Sequence, residues 1–328
     1  MPIAHYRLAR LFQLLLFSVV VLCSGCSGIF VRTPIDPASR DERFVAAPAA
    51  GAGAIQPVAG RHFQRVLIIV LENQNYQAVI DEPNFQKLAA KGAVFTDFHG
   101  LFHPSYSNYL AMVAGTEIRT FADQQIEADK PTIASLLGAK ELHWKNYAEG
   151  YPEETAPEMP PTHCFLAPGL HRYARKHVPF LSFTSIQQHE CHHIVPGTQF
   201  WDDLEKNEVP EYAFYSPNLD HDGHDPTDDP QRGLKNASYW LKAFLERLRQ
   251  YDVFMKDTLI IVTFDESRDD KENKNHIYTV FLGPMVRPGR YAEPYNHYNM
   301  LRTIEDNFSL GTLADGDGGA KVITGVWK

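Results

Sequence analysis

Two aliphatic runs in this chain end in the same way. "VLIIVL" (66–71) and "LIIVTF" (259–264) carry apolar or β-branched residues at successive positions, with no alternate polar face. That is the pattern of a strand buried on both sides. Each run stops at polar, acidic residues: Glu72 and Asn73 after the first, Asp265 and Glu266 after the second. Shorter strand-like runs are "AVFTDFHG" (93–100), "HWKNYAE" (143–149), "EYAFYSP" (211–217) and "HIYTVFLGP" (276–284). Helical spacing of apolar positions marks "NFQKLAAKG" (84–92), the segment after Ser105, "PTIASLLGAKE" (131–141), "GLKNASYWLKAFLERLRQY" (233–251) and "YNMLRTIEDNFSL" (298–310). Strands alternating with helices predict an α/β protein, its mostly parallel sheet sandwiched between helices. Residues 150–200 are irregular and rich in Pro and His, and read as an insertion over one end of the sheet. No internal repeat is visible.

The amino-terminal pattern differs. Two arginines, an apolar run from Leu11 to Leu22 and then small residues give the layout of a secretory signal over residues 1–25. The apolar run is too short for a stable membrane span. "LCSGC" at 22–26 resembles a bacterial lipobox, in which Cys26 would be lipidated and anchor the protein to a membrane. Residues 26–61, with "AAPAAGAGA" at 46–54, have no pattern able to bury a core and read as a tether. The expected organisation is therefore signal segment 1–25, tether 26–61 and one catalytic domain 62–328. Export places the mature chain in the periplasm, on the outer membrane or outside the cell.

Composition adds two constraints. Hydrophobic and charged fractions of 44% and 22% are those of a globular protein. Without residues 1–25 the chain keeps 29 basic against 40 acidic residues, a net charge of −11. That excludes non-specific nucleic-acid binding, which needs a basic face. Two cysteines remain in the body, Cys164 and Cys191, and in an oxidising compartment an even pair predicts one disulfide.

The chemistry is suggested by what gathers at strand ends. In open α/β sheets ligands bind beyond the carboxyl ends of parallel strands. Glu72, Asn73, Asp265 and Glu266 are thus expected to converge, and such oxygen donors suit one divalent cation: Ca²⁺, Mg²⁺ or Mn²⁺. "GLFHPSYSNYLAMVAGTE" (100–117) turns from loop to helix near Ser105. That serine reads either as an N-cap or as a nucleophile whose anionic substrate rests on the helix N-terminus. "SPNLDHDGHDPTDDP" (216–230) follows another strand and crowds Asp220, His221, Asp222, His224 and Asp225 into one turn. His297 precedes the last helix.

Together these stretches resemble the phosphoesterase family of bacterial acid phosphatases and phosphatidylcholine-type phospholipases C, within the alkaline-phosphatase-like superfamily. The matching pieces are "ENQNY", "HPSYSNYLAMVAG", "RKHVPF" (175–180), "SPNLDHDGHD", "VTFDES" and "NHYNMLRTIEDNFSL", in the family's order over roughly residues 62–310. The resemblance implies an alkaline-phosphatase-like fold, with Glu72, Asn73, Asp265 and Glu266 as metal ligands and Ser105 as nucleophile. It makes His224 and His297 catalytic, and gives substrate contacts to His103, Asn108 and His177. Ser107 stands where proline is more usual. A second metal on Asp220, His224 and His297 is the two-metal variant of the superfamily, and a single metal is the expectation here. The implied activity is hydrolysis of a small phosphorylated substrate by an exported, metal-dependent acid phosphatase through a phosphoserine. A phosphodiesterase or phospholipase C is the alternative within the same chemistry. A non-catalytic calcium-binding lipoprotein is the alternative outside it.

Overall fold

The computed structural model describes residues 59–120, 125–152, 163–224, 229–268 and 274–328. The expected signal segment, Cys26, the tether up to residue 58, and Asp225 lie outside the described residues. In chain order the first elements are β1 (Arg65–Leu71), α1 (Tyr76–Asp81), α2 (Pro83–Ala89), β2 (Ala93–Phe95), β3 (Phe98–His99) and α3 (Ser105–Ala114). Then come α4 (Ile133–Gly138), β4 (Trp144–Ala148), a small ribbon of β5 (Gly169–Leu170) and β6 (Tyr173–Ala174), β7 (Ile194–Pro196) and α5 (Gln199–Lys206). The last group is β8 (Tyr212–Ser216), α6 (Pro230–Leu248), α7 (Asp252–Met255), β9 (Thr258–Phe264), β10 (Thr279–Leu282), β11 (Gly289–Tyr291), β12 (Tyr295–Asn296) and α8 (His297–Phe308).

Eight strands form the main sheet in the order β11-β2-β10-β9-β1-β8-β4-β7. Only β10 runs antiparallel to its neighbours, β2 and β9. The two aliphatic runs are its centre. β1 lies between β9 and β8, parallel to both, and every residue of β1 and β9 is buried. Their carboxyl ends therefore open side by side at one edge of the core. Leu71 pairs with Phe264, which sets Glu72 and Asp265 at matching heights.

Helices cover the sheet, α3 packing against α8 and α2 against α6. In α6, Leu234, Ala237, Leu241, Phe244, Leu245 and Leu248 are buried while Lys235, Asn236, Tyr239 and Lys242 face water, the 3.6-residue stripe expected of a helix on a core. The helix begins at Pro230 rather than at Gly233, where its apolar pattern starts. Asp229 accepts from the N–H groups of Gln231 and Arg232, and Pro230 fills the first turn. The start is thus set by a cap, not by apolar periodicity.

The insertion is more integrated than expected. It supplies β7, an edge strand parallel to β4, and then α5. Its described residues also form short helical turns at Arg175–His177, Pro179–Ser182 and Cys191–His193, and Cys164 and Cys191 are disulfide-bonded with Cα atoms 5.0 Å apart.

Candidate active site

Four carboxylates meet where β1, β8 and β9 end. Glu72 follows β1 and is fully buried, as is Asp265 after β9; Glu266 is 5% exposed. Asn73 takes a left-handed backbone conformation, φ +58°, which asparagine tolerates. From there its N–H donates to Asp265 Oδ1 at 3.1 Å. The turn after β8 is tied to the same place, since Glu72 N–H donates to the Asp222 carbonyl at 2.6 Å. Gly223 permits this approach: its φ is +105°, and a Cβ there would stand 3.0 Å from the Glu72 carbonyl.

Ser105 stands at the first turn of α3, 6% exposed. It is not the cap. That position belongs to Pro104, and no side chain closes the helix end. The Ser105 hydroxyl instead donates to Glu266 Oε1 at 2.7 Å. His103 Nδ1 lies 2.7 Å from the other oxygen of that carboxylate, so the expected substrate-contacting histidine rests on the group that holds the serine.

Asn108 departs from expectation. It is fully buried, its Oδ1 accepting from Leu101 and Phe102 N–H and its Nδ2 donating to the Phe102 carbonyl at 2.7 Å. The amide clamps the loop that delivers Ser105 and is turned to backbone, not toward a substrate.

His177 is likewise deeper than a substrate contact. It is 2% exposed, stacked on Tyr109 with ring centroids 5.1 Å apart. Its Nε2 lies 2.5 Å from Glu72 Oε1 and its Nδ1 3.6 Å from Asp222 Oδ2. Glu72, His177 and Asp222 bring ligand atoms within 4.8 Å of one another, and Asp222 was given no role by the sequence. The signal for it was the crowded 220–225 turn; what singles it out is its pairing with β1.

His224 and His297 differ in exposure. The His224 side chain is 39% exposed, borders a cavity of about 590 Å³, and places Nδ1 3.0 Å from Glu72 Oε2. Its ring can reach a substrate while being oriented by Glu72. His297 is fully buried, donates Nε2–H to the Asp265 carbonyl at 2.7 Å, and has no hydrogen-bond partner at Nδ1. Burial pushes its pKa down to about 4, against the pull of that carbonyl. A ring kept neutral and bonded to the strand end braces Asp265 and is a poor proton donor at neutral pH.

The electrostatics of the cluster favour a positive partner. Burial acts to raise Glu72, but the charge and contacts of His177, with help from His224 and Lys176, hold it well below the usual carboxylate range. Burial and then the charge of Glu72 push Asp222 well above its ordinary value. Asp265 is raised the same way, by burial and by the charges of Glu72 and Glu266. Asp222 Oδ2, Asp265 Oδ2 and both His177 ring nitrogens are buried without an aligned hydrogen bond. Orphaned oxygen and imidazole donors of this kind fit a divalent cation, whose charge would let the acids ionise together.

The sequence model of the phosphoesterase family matches residues 74–311. Among curated proteins, a probable acid phosphatase of Kluyveromyces lactis is 30% identical, covering 98% of this chain and 77% of its own length. A phosphatidylinositol-3-phosphatase of Mycobacterium tuberculosis is 31% identical over 81% of this chain and 83% of its own. Among solved structures, an alkaline-phosphatase-superfamily protein of Vibrio parahaemolyticus superposes with a TM-score of 0.56 at 15% identity, covering 77% of this chain and 69% of that one.

Proposed function

Because the chain belongs to the phosphoesterase family and is a hydrolase of phosphoric esters, we propose that it is an exported, metal-dependent acid phosphatase acting through a phosphoserine at Ser105. The observation that carries this reading is the Ser105 hydroxyl, uncapped at the start of α3 and 2.7 Å from Glu266 beside three further buried carboxyl groups. Ser105 Oγ attacks phosphorus as its proton passes to Glu266, and His224 protonates the departing oxygen, a role worth typically 10²–10⁴-fold. Water then opens the phosphoserine, His224 taking its proton and Glu266 returning one to Ser105. The N–H groups of the first turn of α3 face the charge that builds on the phosphoryl oxygens.

Glu72, Asp222 and His177, with Asp265 and Glu266 beside them, are the residues that would hold the metal; Ca²⁺, Mg²⁺ and Mn²⁺ suit the oxygen-rich set. Such an ion supplies neutralising charge for the phosphoryl oxygens and favours ionisation of the serine. Export rests on the 1–25 signal pattern, and anchoring on Cys26.

p-Nitrophenyl phosphate should be hydrolysed faster than its bis-ester, and exhaustive chelation should stop the reaction. Ser105→Ala should remove activity while circular dichroism stays native, since no capping bond is lost. A Ser105→Ala enzyme that keeps more than a few percent of the wild-type rate sinks the nucleophile assignment. Undiminished activity in protein shown by elemental analysis to be metal-free sinks the metal assignment.

A further inference from the structure

The cavity of about 590 Å³ beside His224 lies between the catalytic cluster and the insertion. It is far larger than a phosphate group needs. Its walls include Tyr106 and Tyr173, flat surfaces suited to a sugar or other ring. They also include His171, Arg175, Lys176 and His224, and among the described residues lining it there is no Asp or Glu.

Two of these residues stand apart. Arg175 is 2% exposed; its Nη2 is held by the carbonyls of Leu181 and Ile126, but its Nε is buried without a hydrogen-bond partner. Lys176 is half-buried, and its charge is felt by both Glu72 and Asp222. It lines the cavity and immediately precedes His177, which touches Glu72. Both belong to the turn Arg175–His177, inside the loop closed by the Cys164–Cys191 bridge.

We propose that this cavity is a leaving-group site for phosphomonoesters bearing a second anionic group, and that Lys176 is the residue that selects them. The proposal rests on the phosphatase reading for its reaction, but its selectivity is a property of binding. A charge-assisted contact from Lys176 to the second anion holds the ester so that the other phosphoryl group faces Ser105. A neutral leaving group makes no such contact.

The test is calorimetric titration of the Ser105→Ala protein, metal-loaded, with glucose 6-phosphate and with glucose 1,6-bisphosphate. The bisphosphate should bind tighter by roughly tenfold or more, the scale of one charge-assisted contact. Adding Lys176→Met should bring the two affinities close to parity, whereas Lys176→Arg should keep most of the preference. Equal affinities in the Ser105→Ala protein overturn the inference, and so does a preference that Lys176→Met leaves intact. Failure of the wild-type protein to hydrolyse either ester contradicts the phosphatase reading alone, because the binding preference is measured without turnover.

Discussion

Glu266 touches both Ser105 and His103, and Glu72 touches both His177 and His224, so each of these side chains is held by a carboxylate rather than standing alone. Asp222 completes this network. Asp222→Asn should lower affinity for the divalent ion about 10–100-fold, the usual cost of disturbing a ligand or its support. The change should appear as metal loss on dialysis while circular dichroism stays native. Unchanged metal retention would place the ion elsewhere among the acids. Asp222 and Asn108 also mark how far a sequence reading reaches. Asp222 is distinguished from its acidic neighbours by a backbone bond to Glu72, across about 150 residues of chain, and by Gly223 beneath it. Asn108, three residues after Ser105, spends its amide on a loop. Both facts depend on long-range folding that no local pattern encodes.

The strand ends were legible because an unbroken aliphatic run that stops at acids can only be a buried strand meeting a polar edge, and β1 and β9 are that. The insertion was not, because its turns are fixed by the Cys164–Cys191 bridge and by packing rather than by periodicity. Replacing both cysteines by serine opens a loop with a sequence separation of 27 and should cost roughly 3–4 kcal/mol in the chain-entropy account. Denaturant melts would read that loss, together with slower turnover as His177 loses its seat. A double variant as stable as the parent would show the bridge to be dispensable. The α8 helix carries a separate pH signature. Glu305 is buried, and burial together with the charge of Asp317 raises its pKa to about 9, with Arg302 opposing; its charge is also felt by Tyr212. A carboxyl whose folded pKa is raised favours the folded state fully below its ordinary value and loses that contribution as pH climbs toward 9. Glu305→Gln should therefore flatten the fall in melting temperature between pH 5 and 9, its advantage over wild type growing with pH. Parallel melting curves across that range would contradict the assignment.

At the scale of the whole molecule, a two-sided α/β sheet brings residues as distant as Glu72 and Glu266 to one edge, and α3 presents Ser105 across it. The Vibrio parahaemolyticus structure shares this fold, and the probable acid phosphatase of Kluyveromyces lactis matches nearly the full length of the chain. The central claim is that phosphoryl transfer takes two steps, with Ser105 as the first acceptor. Each in-line displacement inverts phosphorus, so two in succession restore its configuration. Hydrolysis, in water enriched in ¹⁷O, of a phosphorothioate monoester whose non-bridging ¹⁶O and ¹⁸O make phosphorus chiral, followed by configurational analysis of the released thiophosphate, reads the number of displacements directly. The account predicts net retention. Net inversion would mean that water attacks the substrate itself and that Ser105 is no nucleophile.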